Sequence, residues 1–493
     1  MLQCHELRRF NPVTGNQVMI HVKKQVGSYI TVSRVNAFAC ANVPADVFNS
    51  CLVAQENGST NANLATIRSW LPKTMDEQEA RQAAAHILDY YKSKRTAFIP
   101  TVFPTALTDR SYSANVDNAG DLPEPPAVVA FMSPLDNRAY NPRQCPANDK
   151  WAVESRILGL IRENESLHEP TPRIAGFMAE FVEYVSEAVG TLQPLEIEDV
   201  ELQQRTRTQK TGLQQAYQLG VDVVHKVKSF MKREAYGEIK DPRVITTFDA
   251  SVKCEYARYI LPLSSSLKQF DWYGFQVPNK IAQAVVETVD GCDHVIETDF
   301  ARFDGRVTTI LREKLDLPLL LAVFPDHRHD VDEAYHRQFN NKVRMGELKY
   351  DAGATQHSGS MDTSCINTLR GRALIYVGLR LAGLGPLDAW RYRSLHGGDD
   401  GLIGVTRGLS VEKVVDSLSV ASRAFGQKIE AKVVPHGVPF SFLARYFNAW
   451  HGDMNSMCDV RRQAMKLHTT VNVPLSPEDK LREKAYSFVL TDS

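Results

Sequence analysis

Two adjacent carboxylates, Asp399 and Asp400, stand in a glycine-rich stretch that reads His-Gly-Gly-Asp-Asp-Gly. Apolar residues flank the stretch on both sides, which predicts a β-hairpin whose tight turn presents the two carboxylates. Neighbouring carboxylates repel each other, so keeping both ionised is costly unless a cation lies between them. The pattern therefore indicates a metal site, with a solvated turn in which Asp and Gly only supply backbone geometry as the alternative.

Another pair of carboxylates lies upstream, at the end of a strand predicted over His294–Phe300. Asp299 falls at the end of this strand, and Asp304 follows in the turn before a helix expected from about Thr308. If the strand and the hairpin are neighbours in one sheet, Asp299 faces the same site as Asp399. Carboxylate oxygens on rigid strands suit Mg²⁺, which also takes oxygens from substrate phosphates.

A Gly/Ser loop between these two acidic elements leads into a predicted helix. Ser358 and Gly359 lie in the loop, whereas Thr363 and Asn367 are four residues apart and share a face near the start of the helix. Each of these residues alone would be an ordinary polar residue near a helix N-terminus. Their position between two carboxylate sites makes them candidates for contacts with a sugar.

Residues 205–243 form a basic segment, with nine Lys or Arg against four acidic residues in a chain of net charge −1. Lys232, Lys240 and Arg243 stand at its end, on a stretch that resembles a hairpin. Cations spaced in this way suit contacts with polyphosphates or phosphodiesters. A solvated basic face is the alternative interpretation.

The whole chain has the composition of a globular protein, with 493 residues of which 43% are hydrophobic and 23% charged. This length predicts two to four structural units. Eight cysteines without a Cys-x-x-Cys pair predict reduced intracellular thiols and argue against a disulfide framework or a zinc site. Because the chain lacks a run of about 18 apolar residues and a signal-peptide pattern, we expect no membrane segment within it.

Local patterns also predict the elements that must position these residues. Short β-rich runs are expected at residues 17–22 and 29–32, and a helix is expected from a capping box at residues 74–77. Further helices are predicted at residues 151–162, 174–189 and 411–425, and strands at residues 427–433 and 440–447. The end of the chain is expected to be helical.

The order and spacing of these features resemble motifs F, A, B and C of the RNA-dependent RNA polymerases of positive-strand RNA viruses. The chain contains a basic segment ending Lys-Asp-Pro-Arg-Val-Ile, then Asp-x4-Asp, Ser-Gly-x3-Thr-x3-Asn and Gly-Asp-Asp. The residues around them, Glu-Thr-Asp-Phe at 297–300 and Ser-Gly-Ser at 358–360 among them, look most like the nodavirus replicases. Tombusvirus-type polymerases are near neighbours. The resemblance covers roughly residues 140–450.

The resemblance implies an α+β right-hand polymerase fold of fingers, palm and thumb, with an antiparallel palm sheet backed by helices. Residues 1–97 would be an N-terminal extension or the end of an upstream capping region, and residues 98–148 a proline-rich connector. Residues 149–290 would form fingers with the basic motif F. Residues 291–450 would form the palm with motifs A to E and an inserted fingers segment, and residues 451–493 a short or incomplete thumb.

Roles for individual residues follow from the same resemblance. Asp299 and Asp399 would bind two catalytic Mg²⁺ ions, for which Mn²⁺ is expected to substitute, and Asp400 would assist. The residues expected near the ribose of the incoming nucleotide are Asp304 and Asn367, with Ser358, Gly359 and Thr363 close by. The residues expected to hold its triphosphate are Lys232, Lys240 and Arg243.

The resemblance also suggests a general acid and a primer contact. Lys432 best matches the lysine that protonates the leaving pyrophosphate in this family, with Lys428 as its rival. Residues 442–446 match the motif E strand, which lies beside the primer end.

The implied activity is template-directed RNA synthesis, in which nucleotidyl groups pass from NTPs to an RNA 3′-hydroxyl during replication of a viral genome. The implied partners are template and nascent RNA, NTPs and other copies of the replicase. The family is membrane-associated through regions that we expect to be absent from this chain. This implies membrane-associated replication complexes in the host cytoplasm.

Three other interpretations fit parts of the pattern. A reverse transcriptase shares the palm but typically blocks the 2′-hydroxyl with an aromatic residue, whereas this chain offers the polar Asp304 and Asn367. A metal-dependent phosphohydrolase would use paired acids but has no need of the basic segment or the Gly/Ser loop. A non-catalytic RNA-binding scaffold would not need intact carboxylates.

We predict that Arg243→Ala and Lys240→Ala each raise the apparent KM for nucleotides. Removing a charge-assisted contact costs about 1.5–3 kcal/mol, which corresponds to roughly a ten- to hundred-fold change. Steady-state kinetics with a varied nucleotide concentration measure the effect. Unchanged KM and kcat in both variants would return the basic segment to the solvated-face interpretation.

Overall fold

The computed structural model describes residues 145–204, 227–236 and 240–466 without interruption. It also describes residues 4–10, 17–24, 29–34, 40–44, 65, 112–113, 129–130, 141–142, 210, 469–470 and 477–491. The strands, in chain order, are β1 (Cys4–Phe10), β2 (Gln17–Lys24), β3 (Tyr29–Arg34), β4 (Cys40–Pro44), β5 (Tyr112–Ser113), β6 (Val129–Ala130), β7 (Asn141–Pro142), β8 (Val227–Met231), β9 (Val244–Thr247), β10 (His294–Phe300), β11 (Lys342–Met345), β12 (Leu348–Asp351), β13 (Ser394–Gly397), β14 (Asp400–Val405), β15 (Ile429–Pro435), β16 (Phe440–Phe442), β17 (Arg445–Phe447), β18 (Ser456–Cys458) and β19 (Thr469–Thr470).

The α-helices of the described residues, in chain order, are α1 (Pro146–Val153), α2 (Gly159–Asn164), α3 (Pro172–Val189), α4 (Ile197–Leu202), α5 (Ala250–Leu267), α6 (Pro278–Val289), α7 (Thr309–Leu311), α8 (Leu317–Val323), α9 (Arg328–His336), α10 (Thr363–Leu381), α11 (Pro386–Trp390), α12 (Val411–Ala424), α13 (Val460–Lys466) and α14 (Pro477–Thr491). Turns of π-helix over Glu154–Leu158 and Arg312–Asp316 continue the helices on either side of them.

The chain divides into two compact units. Residues 1–152, 231–243 and 460–493 form the first unit, and residues 153–230 and 244–459 form the second. The first unit contains an antiparallel sheet in the order β1-β2-β3-β4, which confirms the predicted β runs at residues 17–22 and 29–32. The helix predicted from residue 74 lies outside the described residues, as does most of the predicted connector.

An antiparallel sheet in the order β13-β14-β10-β15 lies at the centre of the second unit. Alternate residues of the central strand β10 enter two different apolar clusters, with Ile296 and Phe300 on one side of the sheet and Val295 on the other. Apolar clusters therefore cover both faces of the sheet along β10. The predicted antiparallel sheet backed by helices is confirmed.

Helices α10 and α12 pack tightly on this sheet and against each other. A Cβ atom on Gly378 of α10 would lie only 2.5 Å from Cδ2 of Leu418 of α12, so the absence of a side chain permits the close approach. The sequence-based bounds of these elements are confirmed to within a residue or two, since α10 ends at Leu381 and α12 ends at Ala424.

Two glycines of β14 allow equally close contacts within and behind the sheet. A Cβ on Gly401 would lie 2.4 Å from Oγ1 of Thr298 on β10, and a Cβ on Gly404 would lie 2.1 Å from the backbone oxygen of Thr288 on α6. No ordinary side chain has contacts this short. At Gly404 the obstacle is the backbone of α6, so the strand can approach α6 this closely only with glycine there. At Gly401 a side chain would require the Thr298 hydroxyl to move.

The predicted strand at residues 440–447 is wrong as a single strand. The structure has a hairpin there, β16 paired with β17, and β18 extends it into a three-stranded sheet. Its two turn residues, Leu443 and Ala444, have φ angles of 49° and 60°. Consecutive positive φ angles characterise the tight hairpin turns that usually contain Asn or Gly, so Leu-Ala gave no signal of a turn.

The second unit contains a fully buried ion pair between Arg370 of α10 and Asp316. Nε of Arg370 donates to Oδ1 of Asp316 at 3.1 Å, and the hydroxyl of Tyr335 donates to Oδ2 of Asp316 at 2.8 Å. Nη1 of Arg370 donates to Gln356 and to Asn367, each at 2.9 Å. This network joins α10, α9, the Gly/Ser loop and the π-helical turn that precedes α8.

Among the residues that the structure describes, Cys292 and Cys365 are buried and have free thiols. Among the helices that the structure describes, none is long and apolar enough to cross a membrane.

We predict that Asp316→Ala lowers the free energy of unfolding by about 3–5 kcal/mol, because it leaves the Arg370 guanidinium buried without a counter-charge. Urea unfolding measures the change. The exposed pair of Arg337 with Glu333 provides the control, since Glu333→Gln is expected to cost less than about 1 kcal/mol. Equal effects of the two variants would contradict this account of the buried pair.

Candidate active site

The hairpin of β13 and β14 presents Asp399 at its tip, as the sequence predicts. Gly397 pairs with Asp400, which leaves Gly398 and Asp399 as the two turn residues. The φ angle of Gly398 is +69°, a conformation that suits glycine at the first position of a tight hairpin turn. The N–H of Gly398 donates to Oγ1 of Thr368 on α10 at 2.9 Å, so this helix fixes the position of the turn.

Asp299 lies beside this turn. The preceding residue, Thr298, pairs with Gly401, so the end of β10 stops next to the hairpin tip. Although Asp299 reaches solvent, the surrounding protein removes much of its water, and this burial together with the charge of Asp399 raises the pKa of the Asp299 carboxyl group to about 6. The predicted meeting of Asp299 and Asp399 at one site is therefore present in the fold.

These two carboxylates fit a divalent cation, because two negative charges that repel each other are stabilised by a positive ion between them. Within the ranges that the structure covers, no three His, Cys, Asp or Glu side chains lie close enough together to hold a metal ion. Asp299, Asp399 and Asp400 thus do not form a three-ligand cluster. Mg²⁺ is commonly held by one or two carboxylates with substrate phosphates, which agrees with this geometry.

Asp400 is half-buried and is the first residue of β14. Its assisting role stays a prediction.

Asp304 and Asn367 meet directly, as their predicted common role requires. Nδ2 of Asn367 donates to Oδ1 of Asp304 at 2.7 Å, and Oδ1 of Asn367 accepts from Arg370. The amide is therefore oriented by the buried arginine. Asp304 lies in the turn Phe303–Arg306 that follows β10, and its backbone oxygen accepts from the N–H of Gln356 at 2.8 Å.

Ser358, Gly359 and Thr363 use their polar groups within the protein. Oγ of Ser358 donates to the backbone oxygen of the first residue of β9 at 3.1 Å, and the N–H of Gly359 donates to Thr246 of β9 at 2.8 Å. Oγ1 of Thr363 donates to the backbone oxygen of His357 at 3.1 Å. These residues hold the Gly/Ser loop against β9 and α10, and their predicted contact with the sugar is untested.

Lys432 lies opposite Glu297 on neighbouring strands, and its Nζ contacts the Glu297 carboxylate at 3.1 and 3.2 Å. Glu297 is two residues before Asp299 and on the same face of β10. Lys428 lies just before β15, and its backbone oxygen accepts from Ala301 at 3.0 Å. Both lysines are exposed, so the choice between them stays open.

The three cations predicted to hold a triphosphate lie in the first unit, on a segment closed by a hydrogen bond of 2.7 Å from the N–H of Lys232 to the oxygen of Arg243. Glu234 lies between them, 3.2 Å from Nζ of Lys232 and 3.8 Å from Nε of Arg243. Burial would raise the pKa of Glu234, but these cations outweigh burial and hold it below its usual value. Lys240 lies over the Tyr236 ring, 5.7 Å from its centre.

The residues that position this site were not predicted from the sequence. Arg370 is fully buried in α10, and an arginine between the apolar positions of a helix is a signal for a buried partner. Its partner, Asp316, is 54 residues away, and no local pattern connects the two. For Glu234 the available signal is its place as an acidic residue between cations in the sequence.

The chain is similar in sequence to viral polymerases. It is 29% identical over 365 residues to the RNA-directed RNA polymerase of Atlantic halibut nervous necrosis virus, and 25% identical over 433 residues to that of Flock house virus. These alignments cover 73% and 84% of this chain but only 36% and 42% of the relatives. The chain therefore spans about two fifths of the length of the curated relatives that it matches. No family model matches it.

The fold is similar to the crystal structure of the RNA-dependent RNA polymerase of a human picobirnavirus. The TM-score is 0.55 with 15% sequence identity, and the alignment covers 85% of this chain and 79% of that one. An insertion-loop deletion mutant of the same enzyme gives the same TM-score. The predicted right-hand polymerase fold is thus confirmed, and so is the resemblance of this chain to the nodavirus RNA-directed RNA polymerases.

Proposed function

We propose that this chain synthesises RNA on an RNA template, by transferring nucleotidyl groups from NTPs to an RNA 3′-hydroxyl during replication of a positive-strand viral genome. The observation that supports this most directly is the meeting of Asp299 and Asp399 at one end of the central antiparallel sheet. Helix α10 connects this pair to the Asp304–Asn367 contact, since Thr368 holds the turn that carries Asp399. The two carboxylates and the polar Asp304–Asn367 pair are thus held by the same helix.

Asp299 and Asp399 would hold two Mg²⁺ ions, and Mn²⁺ would substitute. When bound, such ions lower the pKa of the attacking hydroxyl and neutralise the leaving pyrophosphate. The protein contributes by holding Asp299 on β10 and Asp399 in the turn between β13 and β14, whose strands are hydrogen-bonded in one sheet. Because the pKa of Asp299 is about 6, this carboxyl group is mostly ionised at neutral pH and is available to a cation.

The Asp304–Asn367 pair would contact the 2′-hydroxyl of the incoming nucleotide. Its members are already hydrogen-bonded to each other and oriented by Arg370, so a ribose hydroxyl meets a preformed polar group. We assign the triphosphate to Lys232, Lys240 and Arg243. Lys432 would protonate the leaving pyrophosphate after leaving its contact with Glu297, and Lys428 is the alternative general acid.

A reverse transcriptase and a phosphohydrolase are not favoured. A reverse transcriptase typically blocks the 2′-hydroxyl with an aromatic residue, whereas the residues that we assign to the ribose, Asp304 and Asn367, are polar. The similarity to viral RNA-directed RNA polymerases, in both sequence and fold, supports RNA synthesis. We further propose action in membrane-associated replication complexes of the host cytoplasm, together with other copies of the replicase.

A primer-extension assay with ribonucleotides, deoxyribonucleotides and a no-template control tests the proposal. Template-dependent incorporation of ribonucleotides is expected. Preferential incorporation of deoxyribonucleotides would indicate a reverse transcriptase, and phosphate release without incorporation would indicate a phosphohydrolase.

In this assay, we predict that Asp399→Ala abolishes nucleotide incorporation without changing the melting temperature, because a turn carboxylate serves bound cations and not the core. Incorporation and thermal unfolding are measured on the same preparation. Asp326→Ala, in an exposed turn, is the control and should retain full activity. Activity of the Asp399 variant near that of the control would refute the assignment of this carboxylate.

We also predict that Asn367→Ala narrows the preference for ribonucleotides. The variant should lower kcat/KM for ribonucleotides and leave the value for deoxynucleotides nearly constant. The reason is that only ribonucleotides have the 2′-hydroxyl that we assign to the Asn367 amide. Asp304→Asn should have a similar effect. Since the two residues act as a unit, the double variant should cost little more than either single one. An unchanged ratio of the two kcat/KM values would show that Asn367 only supports the helix.

A further inference from the structure

One face of the sheet β12-β11-β8-β9 carries a row of cations that the proposed chemistry does not use. Along β8 the residues alternate between buried and exposed, and Lys228 and Phe230 are on the exposed face. On β11 the exposed residues are Lys342 and Arg344, and on β12 Lys349 is exposed. The opposite face is buried, and there the hydroxyl of Tyr350 donates to Ser229 at 3.0 Å.

The strand register places three of these cations side by side. Arg344 pairs with Lys228 of the parallel strand β8 on one side and with Lys349 of the antiparallel strand β12 on the other. Neighbouring strands are about 4.8 Å apart, so the row is roughly 10 Å wide. Like charges directly opposite each other in a sheet are destabilising, and a bound anion would relieve the repulsion.

The protein supplies little of that negative charge. Considering only residues with a described position, no carboxylate lies within 4.0 Å of the ammonium groups of Lys228, Lys342 or Lys349. Asp351 is the single acidic residue in β8, β11 and β12; it is paired with Lys342 in the strand register and accepts from the N–H of Gly353 at 2.9 Å. An open groove of about 670 Å³ runs along these strands, and all four cations line it.

An exposed aromatic ring completes the surface. Phe230 is 50% exposed and follows Lys228 by two residues, so it lies on the same face of β8. Large apolar side chains on an otherwise charged face are unusual unless they contact a ligand. Cations that follow a backbone, next to an aromatic ring on which a base can stack, form the typical surface for single-stranded nucleic acid.

We propose that the exposed face of β8, β11 and β12 binds single-stranded RNA, with Lys228, Arg344 and Lys349 on consecutive phosphates and a base stacked on Phe230. This inference rests on the proposed function for the identity of the ligand as RNA. The contact is independent of base sequence, because neither ammonium groups nor an aromatic ring distinguishes one base from another. Its role is to hold the RNA strand outside the carboxylate site.

The test measures binding of a fluorescent oligouridylate to the full chain by anisotropy, without nucleotides or metal ions, over a range of salt concentrations. Lys228→Gln/Lys349→Gln should weaken binding about ten-fold. It should also reduce the slope of log K against log salt by about 0.7 for each phosphate that is no longer neutralised. The matched control, Lys268→Gln/Lys413→Gln, removes two exposed charges elsewhere in the second unit and should change neither quantity. Equal behaviour of the two double variants would overturn the proposal.

The aromatic contact is tested separately with Phe230→Leu. This variant should weaken oligouridylate binding roughly five- to ten-fold and leave binding of inorganic polyphosphate unchanged, because polyphosphate has no bases to stack. An equal decrease in affinity for both ligands, or no decrease for either, would overturn the stacking contact. Displacement of the RNA by polyglutamate at equal charge concentration would overturn the RNA assignment and point to an acidic protein partner.

The readout does not depend on polymerase activity. If RNA binding falls in the variants while the wild-type chain fails to incorporate nucleotides, the RNA-binding face stands and the proposed function fails. If the variants retain RNA binding and the wild-type chain polymerises, the proposed function stands and the face does not bind RNA.

Discussion

The ion pair between Arg370 and Asp316 is the constraint on which the active-site geometry depends. The buried guanidinium of Arg370 donates to Asp316, Gln356 and Asn367, and these contacts fix the rotation of α10. Asn367 and Thr368 precede Arg370 on the same helix, so this rotation also sets the contacts with Asp304 and with the turn of Gly398. A buried ion pair rarely adds net stability, and here its value is the position that it imposes.

The sheet imposes the opposite kind of constraint, because it brings together groups that repel. The strand order places β10 between β14 and β15, so Asp299 is next to Asp399 on one side and opposite Glu430 on the other. Burial, together with the charges of Asp399 and Glu430, raises the pKa of the Asp299 carboxyl group. Such a concentration of negative charge is of no use to folding, and it is the part of the molecule where function and stability conflict most clearly.

Sequence patterns revealed the elements whose signals are local. The strand β10, the helix α10 from its loop to Leu381, and the hairpin that presents Asp399 follow from alternation, helical periodicity and glycines at a turn. Contacts between distant residues, such as that of Arg370 with Asp316, leave no such trace. The hydroxyls of Ser358 and Thr363 could not be assigned to backbone partners without the fold. The turn at Leu443 was missed because its residues are untypical of the backbone conformation that they adopt.

The glycines of β14 have a consequence for the evolution of this chain. Neither Gly401 nor Gly404 carries a functional group, yet Thr298 and Thr288 occupy the space that any side chain there would need. A substitution at Gly404 would separate the strand from α6, and one at Gly401 would displace the Thr298 side chain or separate the strand from β10, with an effect on the nearby carboxylates. Purifying selection should therefore act on the two glycines as strongly as on the acids, for steric reasons. In a survey of drifting relatives, invariance at such positions would report the closeness of two backbones and not a role in catalysis.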